Sequence, residues 1–178
     1  VEIETGRLLW EYPYPHLGSD QNMPTPVVHR GVVFLGGENR GVRSLEPRRD
    51  GDTWRVKENW HQEQVALDMS SAVVESERLF GFSHYDSGRL FCLDIDSGEV
   101  LWRGPGRTGQ NVMFLTIPGH IIALFNRGEL KVFKAIGEKL DAVATYRVSD
   151  EETWAPPVVL ENGFLIKDKQ TLTRWSLK

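Results

Sequence analysis

Gly88-Arg89-Leu90-Phe91-Cys92-Leu93-Asp94-Ile95-Asp96-Ser97-Gly98-Glu99-Val100-Leu101-Trp102 reads as two β-strands joined by a tight polar turn and closed by a large aromatic. Leu90-Phe91-Cys92-Leu93 is apolar at every position, which predicts a strand buried on both faces. Asp96-Ser97-Gly98 supplies residues that favour a turn. Glu4-Thr5-Gly6-Arg7-Leu8-Leu9-Trp10 repeats the second half of the stretch position for position. The chain is a repeat array.

A second landmark recurs with the first. Short apolar pairs of strands begin at Pro26, Ala72, Leu115 and Pro157, giving steps of 46, 43 and 42 residues. Closing aromatics stand at Trp10, Trp60, Trp102 and Tyr146, with steps of 50, 42 and 44. Four short strands per unit at this spacing predict the blades of a β-propeller. The 178 residues divide approximately into the end of a preceding blade (1–22) and units at 23–60, 69–102, 112–146 and 154–178. One domain, 1–178, is expected. Helix signals are nearly absent: Ala135–Tyr146 is short, contains Gly137 and reads as a loosened turn followed by an outer strand. Arg7–Trp10 reads as an outermost strand and Thr171–Leu177 as a third strand.

Composition narrows the partners. A net charge of -4 and dispersed Lys and Arg argue against nucleic acid, whose binders carry a basic patch. No apolar run approaches the roughly 20 residues that span a bilayer, so no transmembrane segment is expected. Cys92 is the one cysteine and reads as a small buried thiol, leaving the redox compartment unread.

Asp94-x-Asp96-Ser97-Gly98-x-x-x-Trp102 resembles the pyrroloquinoline-quinone (PQQ)-like propeller repeat, whose units end in Thr/Ser-Gly-x-x-x-Trp. That family includes quinoprotein alcohol dehydrogenases, polyvinyl-alcohol dehydrogenase-like proteins and a propeller lipoprotein of outer-membrane assembly. The resemblance implies that Trp10, Trp60 and Trp102 dock between blades, with Gly6 and Gly98 as turn glycines; Tyr146 departs from the pattern. It also implies a bacterial protein of the periplasm, cell envelope or exterior. Family propellers have seven or eight blades, and the chain opens inside a motif. The expectation is therefore the C-terminal part of a longer propeller, the alternative being a closed four-bladed ring.

Propeller topology places the blade-to-blade links and the links between second and third strands on one face. Polar residues crowd these loops, and His84, Arg107, Gln110, Asn111 and Trp154 are the candidate binding residues, for a protein partner or a small ligand at the axis. The leading expectation is a non-catalytic scaffold that needs no cofactor. The alternative is part of a quinoprotein oxidoreductase using PQQ with calcium. A single cysteine cannot form that family's vicinal disulfide platform.

Other motifs read as structure. Gly104-Pro105-Gly106-Arg107-Thr108-Gly109 fits Gly-x-Gly-x-x-Gly but leads into the strand-like Val112–Ile117, whereas a dinucleotide site needs a helix there. Asp94-x-Asp96-x-Gly98 lacks the later ligands of a calcium loop. The histidines at 16, 29, 61, 84 and 120 show no metal-ligand spacing. Ser83 lacks the second glycine of a nucleophile elbow. No catalytic residue is assigned.

Overall fold

The computed structural model describes residues 1–136 and 140–176. It is all-β, with four antiparallel sheets built in chain order. Blade one holds β1 (Val27–His29), β2 (Val32–Gly36), β3 (Val42–Asp50) and β4 (Thr53–Gln62). Blade two holds β5 (Val73–Glu75), β6 (Arg78–Ser83), β7 (Arg89–Asp94) and β8 (Val100–Arg103). Blade three holds β9 (Val112–Ile117), β10 (His120–Phe125), β11 (Glu129–Lys134) and β12 (Ala142–Arg147). Blade four holds β13 (Val158–Leu160), β14 (Gly163–Lys167) and β15 (Leu172–Ser176). Helical structure among the described residues is a single 3-10 turn at Tyr85–Ser87.

The core lies between blades, as the doubly apolar strands require. Phe34 and Val42 of blade one pack against Leu79, Phe91 and Leu93 of blade two. Phe82 and Leu90 meet Val112, Ala123 and Phe125 across the next interface. Ile122, Leu124 and Leu130 meet Ile166 across the third. Leu90-Phe91-Cys92-Leu93 is buried throughout, because each face of β7 is covered by a neighbouring sheet. The outer strand β8 instead alternates between half-buried and exposed, as a strand with one wet face should.

Turn chemistry sets the register. Arg30 and Gly31, at φ 49° and 78°, form the two-residue link between β1 and β2, the left-handed pair that matches strand twist. In the Asp94–Glu99 turn, the Gly98 N–H donates to the Asp94 carbonyl at 2.9 Å and the Asp94 N–H to the Glu99 carbonyl at 3.0 Å. The Asp94 carboxylate accepts the Ser97 N–H and hydroxyl, each at 2.8 Å. These bonds, led by the Ser97 amide, hold that carboxyl below its ordinary range. The loop at 104–111 runs directly into β9, so its glycines serve a blade-to-blade link.

One strand expectation is revised. Arg7–Trp10 forms no strand, since no third strand lies beside it to supply ladder partners. The expected third strand of blade four is β15, and the Leu177 of that expectation, like Gly137 of the earlier turn, lies outside the described residues.

Candidate functional site

The loop face is built on buried polar residues that tie one link to the next. The Ser83 hydroxyl oxygen accepts the Ala66 and Tyr85 amides at 3.4 and 3.3 Å. Ser70 donates to Asn111 Oδ1 at 2.5 Å and accepts the Val112 amide at 2.9 Å. Asn126 Oδ1 accepts the Gln110 and Asn111 amides at 3.1 and 3.4 Å. Thr153 Oγ1 donates to the Phe125 carbonyl at 2.8 Å. The side chains of Ser70, Ser83, Asn111, Asn126 and Thr153 are all buried, and pairing is what permits polar groups inside. The result is a fixed rim around the axis. Ser83 is fully buried, its oxygen engaged by two amides.

On that rim, blades one and two frame a polar cleft. His84 Nε2 lies 2.9 Å from Asn39 Oδ1, and its ring meets Tyr85 edge-on at 4.7 Å. Burial pushes the neighbouring Asp68 carboxyl up; His84 pulls it down and the Glu38 charge adds to the rise. The Tyr85 phenol is also pushed up, first by burial and then by the negative charges of Asp20 and Glu63.

A separate hollow of about 320 Å³ lies between the N-terminal segment, at Tyr12–Tyr14 and Leu17, and the rim of blade one. The Tyr12 hydroxyl donates to Glu58 Oε2 at 2.5 Å, and Arg43 pairs with the same oxygen at 2.7 Å. The Arg40 guanidinium sits 3.4 Å over the Tyr14 ring and donates to Asn22 Oδ1 at 2.8 Å. Burial raises the Tyr14 phenol against the pull of Arg40 and Arg43.

The predicted binding residues separate into two kinds. Arg107 and Gln110 are exposed, and the Arg107 N–H donates to the Asp86 carbonyl at 2.9 Å, which sets Arg107 beside the His84–Ser87 turn. Trp154 is 42% exposed and donates to Glu152 at 3.3 Å, on the blade-three to blade-four link. Asn111 is only 3% exposed, its oxygen held by Ser70 and Val112. It fastens the loops. Asn39, Asp68, Tyr12 and Tyr14 carried no individual mark as site residues, because their relation to His84 or to the rim depends on long-range packing.

The docking residues are placed with equal clarity. Trp60 Nε1 donates to the Ile95 carbonyl at 3.0 Å, and its ring covers Gly98, so blade one docks on the turn of blade two. Trp102 packs against Phe80 and, with Phe114 and Leu140 of blade three, against the buried cluster that includes Cys92 and Ile121. Trp10 is half-buried and lies outside the ladders, while Gly6, at φ 71°, has nothing within 4 Å of an added Cβ. The third closing aromatic is corrected. Bulges after Ser44 and Cys92 make Trp60 and Trp102 equivalent, whereas the bulge after Val132 puts Ala144 at that position. Tyr146 stands two residues further on.

Stacked four-stranded sheets with a fixed polar loop face define a β-propeller scaffold. The model of the family described as outer membrane protein assembly factor BamB matches residues 1–116, and the chain belongs to that family. Among solved structures it is similar to BamB from Moraxella catarrhalis, with 16% identity and a TM-score of 0.64 over 89% of this chain and 45% of that one. It is similar to the computationally designed Ika4 protein, with 13% identity and a TM-score of 0.66 over 98% of this chain and 100% of that one. The WD40 propeller domain of Doa1 aligns at 20% identity and a TM-score of 0.60 over 90% of this chain and 53% of that one. The chain thus spans about half the length of the natural propellers it matches. No curated protein matches its sequence.

Proposed function

We propose that this chain is a non-catalytic propeller scaffold of the bacterial cell envelope that holds a protein partner on its loop face. The observation that carries it is the join between blades one and two, where half-buried His84 meets Asn39 beside half-buried Asp68, on a rim fixed by buried hydrogen bonds. The acceptor oxygens of Asn39 and Asp68 suit a basic or strongly donating segment of polypeptide, and exposed Arg107, Gln110 and Trp154 extend the contact along the rim. Membership of a family described by outer-membrane assembly supports both the envelope setting and a protein as the partner. Among the described residues no helix is long and apolar enough to cross a membrane.

The residues present do not fit a quinone site. Cys92, the one cysteine, is buried in β7 with its thiol pushed up to about 12. Among the described residues no three His, Cys, Asp or Glu side chains converge as metal ligands. The proposed reading is of a scaffold that needs no cofactor.

Capture of envelope proteins on the immobilised chain tests this. The triple variant His84→Ala, Asp68→Asn, Asn39→Ala should lose a partner that wild type retains. Arg30→Ala with Glu77→Ala, a 2.6 Å ion pair in the hairpin turns of the opposite face, should keep it. Equal retention by both variants overturns the choice of face.

A further inference from the structure

Lys131 sits where blade two carries a core aromatic. Counted from the two-residue turns, Gly81 and Ala123 are the fourth residues of β6 and β10, and their ladder partners are Phe91 and Lys131. Paired residues share one face of a sheet, and in both blades that face meets the preceding blade. Phe91 fills its seam. It is fully buried in the cluster with Phe34 and Val42, so tightly against Gly81 that a Cβ there would overlap the ring. Arg103, beside Phe91 on β8, donates to Gln64 of the incoming link and closes the outer end. At the next seam Lys131 and Thr145 hold these two places. In blade one the lysine's place belongs to Arg43, whose charge Glu58 answers at 2.7 Å.

The exchange of aromatic for cation opens the seam. A cleft of about 480 Å³ runs between blades two and three, floored by Leu90, Trp102, Phe125 and Phe133. The Lys131 ammonium stands 5.2 Å from the Phe125 ring centre, and Arg127, Arg147 and Glu129 join it in the lining. Among the described lining residues that one carboxylate answers three cations. It pairs with Lys131 at 3.1 Å and faces Arg147 across the ladder. Asp150 meets Arg147 at 3.3 Å, but its side chain is 97% exposed and well screened. Arg127 is exposed between β10 and β11. The lining thus carries excess positive charge over an aromatic floor, in a chain of net charge -4. A cation at a seam gives up packing, and such local exceptions mark functional sites.

We propose that the cleft between blades two and three binds an extended segment of a partner polypeptide in which a carboxylate side chain stands next to a large apolar one. The carboxylate meets Lys131, Arg127 and Arg147, and the apolar side chain covers Phe125 and Phe133. Charge selects and orients the segment, and Lys131, with its side chain only 30% exposed, gives a stronger pairing than a fully wet lysine would. The volume falls within the roughly 300–1,000 Å³ of ligand sites. A chain suits it better than a free molecule, because the cleft reaches the rim at Pro105 and Thr108, beside exposed Arg107 and Gln110. A backbone can therefore run out of it along the loop face. This seam is the one after that of His84 and Asn39, and the inference stands apart from what binds there.

The peptide acetyl-Leu-Glu-Phe-amide, titrated into the isotope-labelled 178-residue chain, should shift the amide signals of Thr108, Arg127, Lys131 and Arg147. The same peptide with glutamine for glutamate should bind about tenfold more weakly or worse, the scale of losing a charge-assisted bond. No shift, or equal binding of the two peptides, overturns the proposal. Octanoate shifting these amides where the peptide does not would give the cleft to a free acyl anion and overturn the chain as occupant. Lys131→Met keeps the apolar stem and should lose about tenfold in affinity with no fall in the urea midpoint. Lys131→Phe, which restores the residue of blade two, should abolish binding and raise the midpoint. Arg127→Ala, at an exposed loop residue, should weaken binding without touching the fold. Full affinity in all three variants overturns the cationic seat. His84→Ala should bind the peptide as wild type does, so the two sites stand or fall separately; a loss there would place the peptide at the wrong seam.

Discussion

Trp60 of blade one lies over Gly98 of blade two so closely that a Cβ on the glycine would stand 2.5 Å from the indole. The indole N–H meanwhile reaches the Ile95 carbonyl at 3.0 Å. One bond and one absent side chain therefore join adjacent sheets. Gly98→Ala imposes both a left-handed strain of roughly 1 kcal/mol and a displaced ring. A total loss of about 2–4 kcal/mol is expected, measured as a lower urea midpoint. Gly6→Ala carries the strain alone, because space around Gly6 is open, and should cost only about 1 kcal/mol. Equal losses would show that the docked ring contributes nothing.

Trp60→Phe keeps the ring over Gly98 and removes the donor. The Ile95 carbonyl then loses a partner at a half-buried site, which costs about 1 kcal/mol. Thermal unfolding should fall by a few degrees with no change in the apparent size of the particle.

Asn111 offers a test of the loop rim. Its oxygen takes the Ser70 hydroxyl and the Val112 amide, and Asn111→Ala leaves both without that acceptor in a buried place. A loss of about 1–3 kcal/mol is expected, and hydrogen exchange at Val112 should quicken. Gln110→Ala, whose contact runs through its backbone, should be close to neutral in stability. If the two variants behave alike, the rim is not held by Asn111.

The propeller was legible because a repeat displays its packing several times. Leu90-Phe91-Cys92-Leu93 and Ile121-Ile122-Ala123-Leu124 are apolar without alternation, and only a strand covered on both faces tolerates that. The docking of Trp60 was legible for the same reason. Its third counterpart was not, since Tyr146 keeps the aromatic while a bulge at Val132 shifts the ladder to Ala144, and bulges leave no mark in composition. Arg7–Trp10 carries a strand's residues, yet a strand needs a partner, and pairing is non-local. Ser70, Ser83, Asn126 and Thr153 were invisible as structural residues: a polar residue in a loop reads as wet until the neighbouring loop buries it. The same reason left Asp68 unmarked.

Asp94 makes the turn sensitive to acid. Its carboxyl is held below the ordinary range chiefly by the Ser97 amide and hydroxyl. A carboxyl with a depressed folded pKa contributes stability that is fully present above its unfolded value of about 3.9 and is lost as pH falls through the folded value. Asp94→Asn retains an acceptor oxygen without the charge. Wild type should exceed this variant in stability at neutral pH, and the gap should shrink as pH drops from about 5 to about 2. A gap that stays constant in urea melts across that range would remove the carboxylate from the account.

Cys92 gives the opposite sign at the alkaline end. The thiol is fully buried in β7, and burial pushes it up to about 12, with Arg78 pulling down and Asp94 adding to the rise. An unfolded cysteine ionises near 8.5. Between those values the unfolded chain sheds a proton that the folded chain keeps, so stability falls as pH rises, by up to about 1.4 kcal/mol per pH unit. Cys92→Ala opens a small cavity at every pH but removes this slope. Its disadvantage relative to wild type at pH 7.5 should therefore shrink by about 2 kcal/mol at pH 10, read from paired urea midpoints. A thiol reagent at pH 8 should leave the folded protein untouched and react as the blades open. Rapid labelling of the native chain would mean that β7 is exposed in solution and that the interface between blades two and three does not stay closed.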